Sequence, residues 1–288
     1  MRRMILAQND PRIFILLPVH NRREITLQFI RCLMAQSYQN FHVLLIDDGS
    51  KDDTAEAVCA LMPSTTVLKG HGKWWWAGSL QQGYQWLRAD RSKTVKSNDL
   101  VLIANDDTSF TSEFLKNAVQ FLGDKTRSLL LASSYSQKTG QVFEVGVHID
   151  WTELSFTGTQ VADEINCFST RGLFMRVSDF MEVGGFHPFL LPHYLSDYEF
   201  TVRAKNRGMS LLSSPTVKLL LNEETTGVHG AYQKTPLARL RSLLTVRASG
   251  NPFYRSTFVL LSCPKPYVWA NLKRIWISFL KLVVKGER

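Results

Sequence analysis

Several signatures that would place this 288-residue chain quickly are missing from it. No Gly-x-Gly-x-x-Gly follows the first apolar run, which argues against a dinucleotide-binding dehydrogenase, and no Gly-x-x-x-x-Gly-Lys-[Ser/Thr] is present, which disfavours a P-loop NTPase. Cys32, Cys59, Cys167 and Cys263 stand far apart with no Cys-x-x-Cys, so they read as reduced thiols of a cytosolic protein rather than a disulfide framework or a zinc site. No apolar run approaches the length of a membrane-spanning helix. The opening residues also lack the apolar core of a secretory signal. Neither an internal repeat nor a low-complexity segment is found.

Acidic residues are scarce too, but only in one region. From Lys234 to Arg288 eleven basic residues meet a single acid, Glu287, whereas 1–233 holds 23 basic and 24 acidic residues. The formal charge of +9 is therefore a near-neutral body plus a tail of +10. A neutral body is not the basic face expected of a nucleic-acid binder, so no nucleic-acid partner is expected. With 44% hydrophobic and 20% charged residues, the chain has the composition of a packed domain.

What is present begins with alternation. Strand-like runs at 13–17, 41–46, 65–68 and 100–104 are separated by helical patterns at 23–36, 53–61 and 77–90. That rhythm predicts parallel βαβ units with buried central strands, whose ligands bind beyond the strands' carboxyl ends. From about 129 to 221 the pattern is less regular, with helices expected near 177–183 and 195–207. The pattern reads as a body over 1–233, with a regular half at about 12–110 and a less regular half at about 111–233, then an extension over 234–288.

Acidic pairs stand at the predicted strand ends. Asp48-Gly49 on its own suits a tight turn. Asp106-Asp107 is harder to explain structurally, because adjacent carboxylates repel; a hard divalent cation would relieve them, taking one or two carboxylates plus substrate phosphates. Asp197 lies in Ser196-Asp197-Tyr198-Glu199, where spacing alone fits a helix-start cap as well as a catalytic acid. Trp74-Trp75-Trp76 cannot all point inward from one element, and their faces suit the C–H surfaces of sugars, so they read as a donor- or acceptor-lining loop. His71 and Lys73 belong to that loop.

Pro18-Val19-His20-Asn21-Arg22, Asp47-Asp48-Gly49-Ser50, Asn105-Asp106-Asp107 and Ser196-Asp197-Tyr198-Glu199 occur in the order found in family 2 glycosyltransferases, and the chain resembles that family over about 12–230. Gly78-Ser79-Leu80-Gln81-Gln82-Gly83, after the tryptophans, is similar to the rhamnosyl- and galactofuranosyl-type branch. The resemblance implies an α/β GT-A fold, with a mostly parallel sheet, flanking helices and a C-terminal helical extension, in which 1–233 is the catalytic domain, about 12–110 its nucleotide-binding half and about 111–233 its acceptor half. It also implies an inverting, metal-dependent transfer of a sugar from a UDP- or dTDP-linked donor to a glycan or lipid-linked acceptor. Pro18, Val19, Asn21, Asp48 and Asp106 would then bind the nucleotide, with Asp48 on the pyrimidine base and Asp106 against ribose and diphosphate. Asp107 would hold Mg²⁺ or Mn²⁺, with His229 as a further ligand, and Asp197 would be the base. Trp74, Trp75, Trp76, Gly78, Arg171, His193 and Tyr194 would line the donor and acceptor pocket. The chain departs from the family pattern at Asn105, where Asp is common, at Ser196, and at Gln82, where Asn is frequent.

The tail supplies a second theme. On a helical projection of 269–285, Trp269, Leu272, Ile275, Trp276, Phe279 and Val283 share one face, and Lys273, Arg274, Lys281 and Lys285 lie opposite. A basic amphipathic helix of this kind predicts contact between 267–288 and an anionic membrane surface; packing on the catalytic unit is the competing reading. The expected location is cytoplasmic, peripheral on the inner face of the cell membrane. The alternative to an enzyme is a degenerate GT-A-like binding module or membrane adaptor that works through its tail.

Overall fold

The structure is a computed structural model that describes residues 10–90, 94–221 and 235–285. Its strands are β1 (Ile13–Val19), β2 (Phe41–Asp47), β3 (Thr66–Lys69), β4 (Leu100–Ile103), β5 (Thr108–Ser109), β6 (Ser128–Ser136), β7 (Val142–Glu144), β8 (Gly146–Asp150), β9 (Ser155–Thr159), β10 (Leu173–Arg176) and β11 (Ser210–Leu221). The helices are α1 (Arg23–Met34), α2 (Thr54–Leu61), α3 (Trp75–Asp90), α4 (Phe114–Leu122), α5 (Val177–Val183), α6 (Ser196–Asn206), α7 (Pro236–Leu243), α8 (Pro252–Ser262) and α9 (Val268–Lys285).

One sheet organises the body, in the order β3-β2-β1-β4-β10-β6-β11-β5, with β7 added on β6. The pairs β1–β2, β1–β4, β2–β3 and β6–β11 are parallel, whereas β10 runs antiparallel to both β4 and β6. The expected mostly parallel sheet is thus present, with β10 as the reversal in its middle. β1 shows why the sheet is central. Ile13, Ile15, Leu17 and Val19 enter one apolar cluster with α1, α2 and α4, while Phe14 and Leu16 enter the other with α3, α5 and α6. A strand buried on both faces needs a continuous apolar run rather than an alternating one. Gly83 lets α3 lie directly on β1, since a Cβ there would stand 2.1 Å from Leu16 Cδ2.

The elements differ from the sequence reading in two places. Strand β1 continues through Pro18 to Val19, in register with Ile46 and Asp47. Helix α4 was not foreseen, although Phe114, Leu115, Ala118 and Leu122 form its buried stripe. The tail holds three helices, and the boundary expected at 233 falls outside the described residues.

The extension packs on the hairpin β8–β9. Phe258 stacks with Trp151 and meets Phe156, and Asn271 Nδ2 donates to Trp151 O at 2.8 Å. On α9, Ile275 and Phe279 are buried but Trp269 is 81% exposed, so the single apolar face projected for this helix is divided. Packing therefore accounts for one half of that face. The four cysteines are free, as expected.

Candidate active site

Asp48, just beyond β2, is held by four backbone amides. Gly72 and Lys73 donate to Oδ1 at 2.8 and 3.1 Å, and Trp74 and Trp75 donate to Oδ2 at 2.8 and 3.1 Å. A carboxylate offers about four lone-pair sites, and here all are occupied. The donors belong to the turn that opens α3, so Asp48 anchors the helix start, where negative charge also complements the helix dipole. The same anchor accounts for Trp75, whose φ of 55° lies in the left-handed region that a bulky residue seldom adopts. Such strain costs about 1–3 kcal/mol, which charge-assisted hydrogen bonds offset. The pyrimidine contact expected of Asp48 would compete with these amides.

Its neighbours tie loops together. Asp47 Oδ1 accepts from Ser50 N at 2.8 Å, and Asn21, itself at φ 52°, donates its N–H to Ser50 Oγ at 2.9 Å while its Oδ1 accepts from Lys51 N at 2.7 Å. Pro18 and Val19 lie beside them at the end of β1.

Asn105-Asp106-Asp107 follows β4 and is built differently. Arg22 Nε stands 3.2 Å from Asp106 Oδ1, and Arg22 Nη2 stands 3.2 Å from Asp107 Oδ2. Thr26 Oγ1 donates to Asp106 Oδ2 at 2.8 Å. Arg22 thus relieves part of the repulsion between the two carboxylates. Burial still pushes Asp106 up to about 6, against the lowering effects of Arg22 and the Thr26 hydroxyl. Two oxygens remain: Asp107 Oδ1 and Asn105 Oδ1 are buried without a hydrogen-bond partner. Buried acceptors without donors are rare, and two of them near one strand end fit a hard cation. Among the described residues no group of three His, Cys, Asp or Glu converges on a metal position, so a cation here would complete its shell from substrate phosphates. His229 lies outside the described residues.

Asp197 is in the first turn of α6. The N-cap is Leu195, at φ 66° with no side-chain cap bond, so Asp197 is not the cap that its spacing also allowed. Tyr198 N donates to Asp197 Oδ1 at 3.0 Å. Burial raises the carboxyl to about 6; the Tyr198 amide lowers it, nearby Glu144 raises it and Arg171 lowers it. Glu199, the other acid of the motif, is structural, accepting from Arg203 Nε at 2.7 Å and Nη2 at 2.9 Å.

The segment before β10 brings Asp197 towards the β4 end. Gly172 N donates to Ile103 O at 3.0 Å, which sets Arg171 beside the strand that carries Asn105–Asp107. Thr201 of α6 bonds both the N–H and the carbonyl of Phe168 at 3.0 Å. Trp76 Nε1 donates to Thr170 Oγ1 at 3.2 Å, and Ala77 N donates to Pro192 O at 3.0 Å, drawing in the start of α3.

Trp75 and Trp76 belong to the first turn of α3, not to a loop. Trp74 and Trp76 pack on the core cluster, whereas Trp75 meets the His193 ring at 5.7 Å and the Arg247 guanidinium at 5.4 Å. His193 in turn meets Tyr194 at 4.6 Å. Burial, then Arg247, lowers the His193 pKa. A cleft of about 590 Å³ is bounded by Lys73, Trp74, Gly78, Gln82, His187 and Phe189 among others, and neither Asp107 nor Asp197 lines it. The tryptophans thus divide between the core, the cleft and the His193–Tyr194 segment.

Sequence reasoning gave no role to Arg22, Glu144 or Arg247. Arg22 was visible within the Pro18–Arg22 motif. Glu144 sits in the short strand β7 with no local signature, and Ser169 Oγ donates to it at 2.9 Å.

Comparison with known proteins bears on the fold and the family. A mannosyltransferase, PcManGT from Pyrobaculum calidifontis, solved with GDP-Man and Mn²⁺, superposes with a TM-score of 0.57 at 15% identity, over 97% of this chain and 89% of that one. GalNAc-T7, solved with UDP, GalNAc and Mn²⁺, gives 0.59 at 12% identity, over 93% and 55%. At these identities the likeness concerns the fold. Among curated relatives, an uncharacterized glycosyltransferase of Rickettsia conorii is 42% identical over 53 residues, and glycosyltransferase GlyG of Streptococcus pneumoniae serotype 4 is 27% identical over 92. Those matches span 9% and 31% of the relatives' lengths and 18% and 31% of this chain. The model of glycosyl transferase family 2 matches residues 14–184, more than half of the sequence, and takes in the ends of β1, β2 and β4. The chain belongs to glycosyl transferase family 2.

Proposed function

We propose that the protein moves a sugar from a nucleotide-diphosphate donor to a hydroxyl of a cell-surface glycan or lipid-linked acceptor, with inversion at the anomeric carbon. Residues 1–233 are assigned to catalysis and 234–288 to an extension. The observation that carries the reading is Asp197, a half-buried carboxylate in the first turn of α6, raised to about 6 with Arg171 near it. Such a group is ionised at neutral pH yet more basic than an ordinary aspartate, which suits a general base.

Oδ1 of Asp197 is engaged by the Tyr198 amide, which leaves Oδ2 to take the acceptor proton. As that proton moves, the acceptor oxygen bonds the anomeric carbon, and the bond from this carbon to the diphosphate oxygen breaks with its electron pair on the diphosphate. A single displacement needs one such base, unlike the paired carboxylates of glycosidases. Asp107, with Asn105 Oδ1, would hold a divalent ion, which when bound would supply positive charge for the leaving diphosphate. Arg22, in the loop after β1, and Arg171, before β10, would add to that charge. His193 and Tyr194 border the acceptor side through Trp75.

The donor is proposed as UDP- or dTDP-linked. A thermal-shift screen of UDP-, dTDP- and GDP-sugars with Mn²⁺ ranks the choices, because a ligand that binds only the folded state raises apparent stability. The reaction itself is tested by Asp197→Asn, which should lower transfer by about a thousandfold or more and leave nucleotide binding intact. Retained turnover removes Asp197 as the base. A binding module without catalysis would show no transfer with any donor and no effect of this substitution on ligand affinity.

A further inference from the structure

We propose that the exposed faces of α8 and α9 form a docking surface for an anionic lipid bilayer. The inference goes beyond the transfer reaction and does not depend on it. Helix α9 carries two apolar stripes rather than one. The first, with Ile275 and Phe279, is buried, Ile275 against Leu154 of the body and Val259 of α8. The second runs through Trp269, Trp276, Leu280 and Val284, which recur on one side of a helix with 3.6 residues per turn. Trp269 is 81% exposed and Val284 68%.

The second stripe continues onto the neighbouring helix. The ring of Phe253 on α8 meets Trp276 edge-on at 5.5 Å, and Leu260 is exposed a further two turns along α8. Exposed tryptophans joined to aliphatic side chains form the kind of contiguous patch that marks an interaction site. Indole rings in particular favour the boundary between headgroups and acyl chains. No described helix is long and apolar enough to cross a membrane, so this geometry lies on a bilayer rather than through it.

Charge selects the occupant. Lys273 and Lys281 are exposed on α9 beside the apolar stripe, and neither has an ion-pair partner among the described residues. They belong to a tail with eleven basic residues and one acid. A second copy of this chain would bring the same excess of positive charge to the contact, and like charges disfavour that pairing. An anionic headgroup layer provides the opposite charge, and each lysine or arginine near it strengthens binding by about fivefold. Docked in this way, the extension would keep the cleft close to lipid-linked acceptors, and Arg247, which follows α7, already touches Trp75 at the start of α3.

The test is sedimentation of the full chain with phosphatidylcholine vesicles, with and without phosphatidylglycerol, at low and high salt. Binding is expected only to the anionic vesicles and should weaken as salt screens the charges. The double substitution Lys273→Gln/Lys281→Gln should lower affinity by about 25-fold. Trp269→Ser/Leu280→Ser should lower it by about tenfold or more. Both pairs are exposed, so thermal melting should stay unchanged, and this separates lost docking from lost folding. Equal binding to both vesicle types, no binding at low salt, or full binding by either variant overturns the proposal. So does a wild-type dimer in sedimentation velocity that Trp269→Ser/Leu280→Ser dissociates, which would make the face a protein interface.

Discussion

The ends of β2 and β4 look alike as sequence, each an apolar run closed by two aspartates, yet the structure puts them to opposite uses. At the β2 end, Asp48 has its acceptor positions filled by the amides of Gly72 to Trp75. At the β4 end, Asp107 shares Arg22 with Asp106 through Oδ2 and keeps Oδ1 buried without a partner. The difference lies in what other segments bring to each end. At the β2 end, the turn between β3 and α3 aims four N–H groups at the carboxylate. At the β4 end, Arg22 arrives from the loop after β1 and leaves one oxygen on each of Asn105 and Asp107 without a hydrogen-bond partner. An aspartate whose bonds are complete is an anchor, whereas one left incomplete keeps an oxygen free for another partner. Sequence pattern does not show which oxygens are satisfied; the hydrogen bonds do.

The largest effect should come from breaking the incomplete end. Asp107→Asn keeps the shape and removes the charge, so transfer in the presence of Mn²⁺ should fall by about a hundredfold or more. Folding should be little affected, because the change leaves Asp106 with Arg22 and Thr26. Steady-state kinetics across a Mn²⁺ titration, with a thermal melt as control, checks both halves. Unchanged metal dependence would remove Asp107 as the ligand.

The same conservative change at the complete end should do the reverse. Asp48→Asn turns one acceptor oxygen into an NH₂ facing two of the four amides. Leaving buried donors unpaired costs about 1–3 kcal/mol each; for a total of about 3 kcal/mol the melting temperature should fall by about 6–12 °C. The reading of Asp48 as a base-binding residue predicts a different result: lost nucleotide affinity with an unchanged melt. Measured together, melting and nucleotide titration decide which description of β2 holds.

These contrasts show what the sequence made legible. The parallel half could be read because β1, β2 and β4 are continuous apolar runs buried on both faces, and their motifs sit at chain positions that the strand ends then bring together. The acids of the site were visible for the same reason. Their states were not, because a hydrogen-bond partner such as Arg22, 85 residues from Asp107, follows from the fold and not from spacing. The tryptophan run was misread as a loop, since nothing local indicates that Trp75 adopts a left-handed turn to begin α3. On α9, a projection showed one apolar face but not that the β8–β9 hairpin would cover only part of it. Glu144 carried no signal, since its role depends on a side chain brought near it from α6.

That residue gives the smallest effect and the sharpest one. Asp197 is raised to about 6 chiefly by burial, with Glu144 adding to the rise and Arg171 opposing it. A base must be deprotonated to act, so transfer should be full above this value and be lost as pH falls through it. Glu144→Gln removes a like charge while keeping an acceptor for Ser169 Oγ, so the Asp197 pKa should drop and the acid limb of kcat/KM should move to lower pH. Arg171→Gln removes the opposing charge, so the limb should move to higher pH. Near pH 5.5 the first variant should be about twofold faster relative to its own plateau than the wild type. A loss of packing would lower both plateaus without moving the limbs apart. Opposite displacements therefore identify electrostatic control of Asp197, and displacements in the same direction would reject it. At α6 the half-buried Asp197 is neither saturated like Asp48 nor paired like Asp106, and Glu144 and Arg171 act on its basicity with opposite sign.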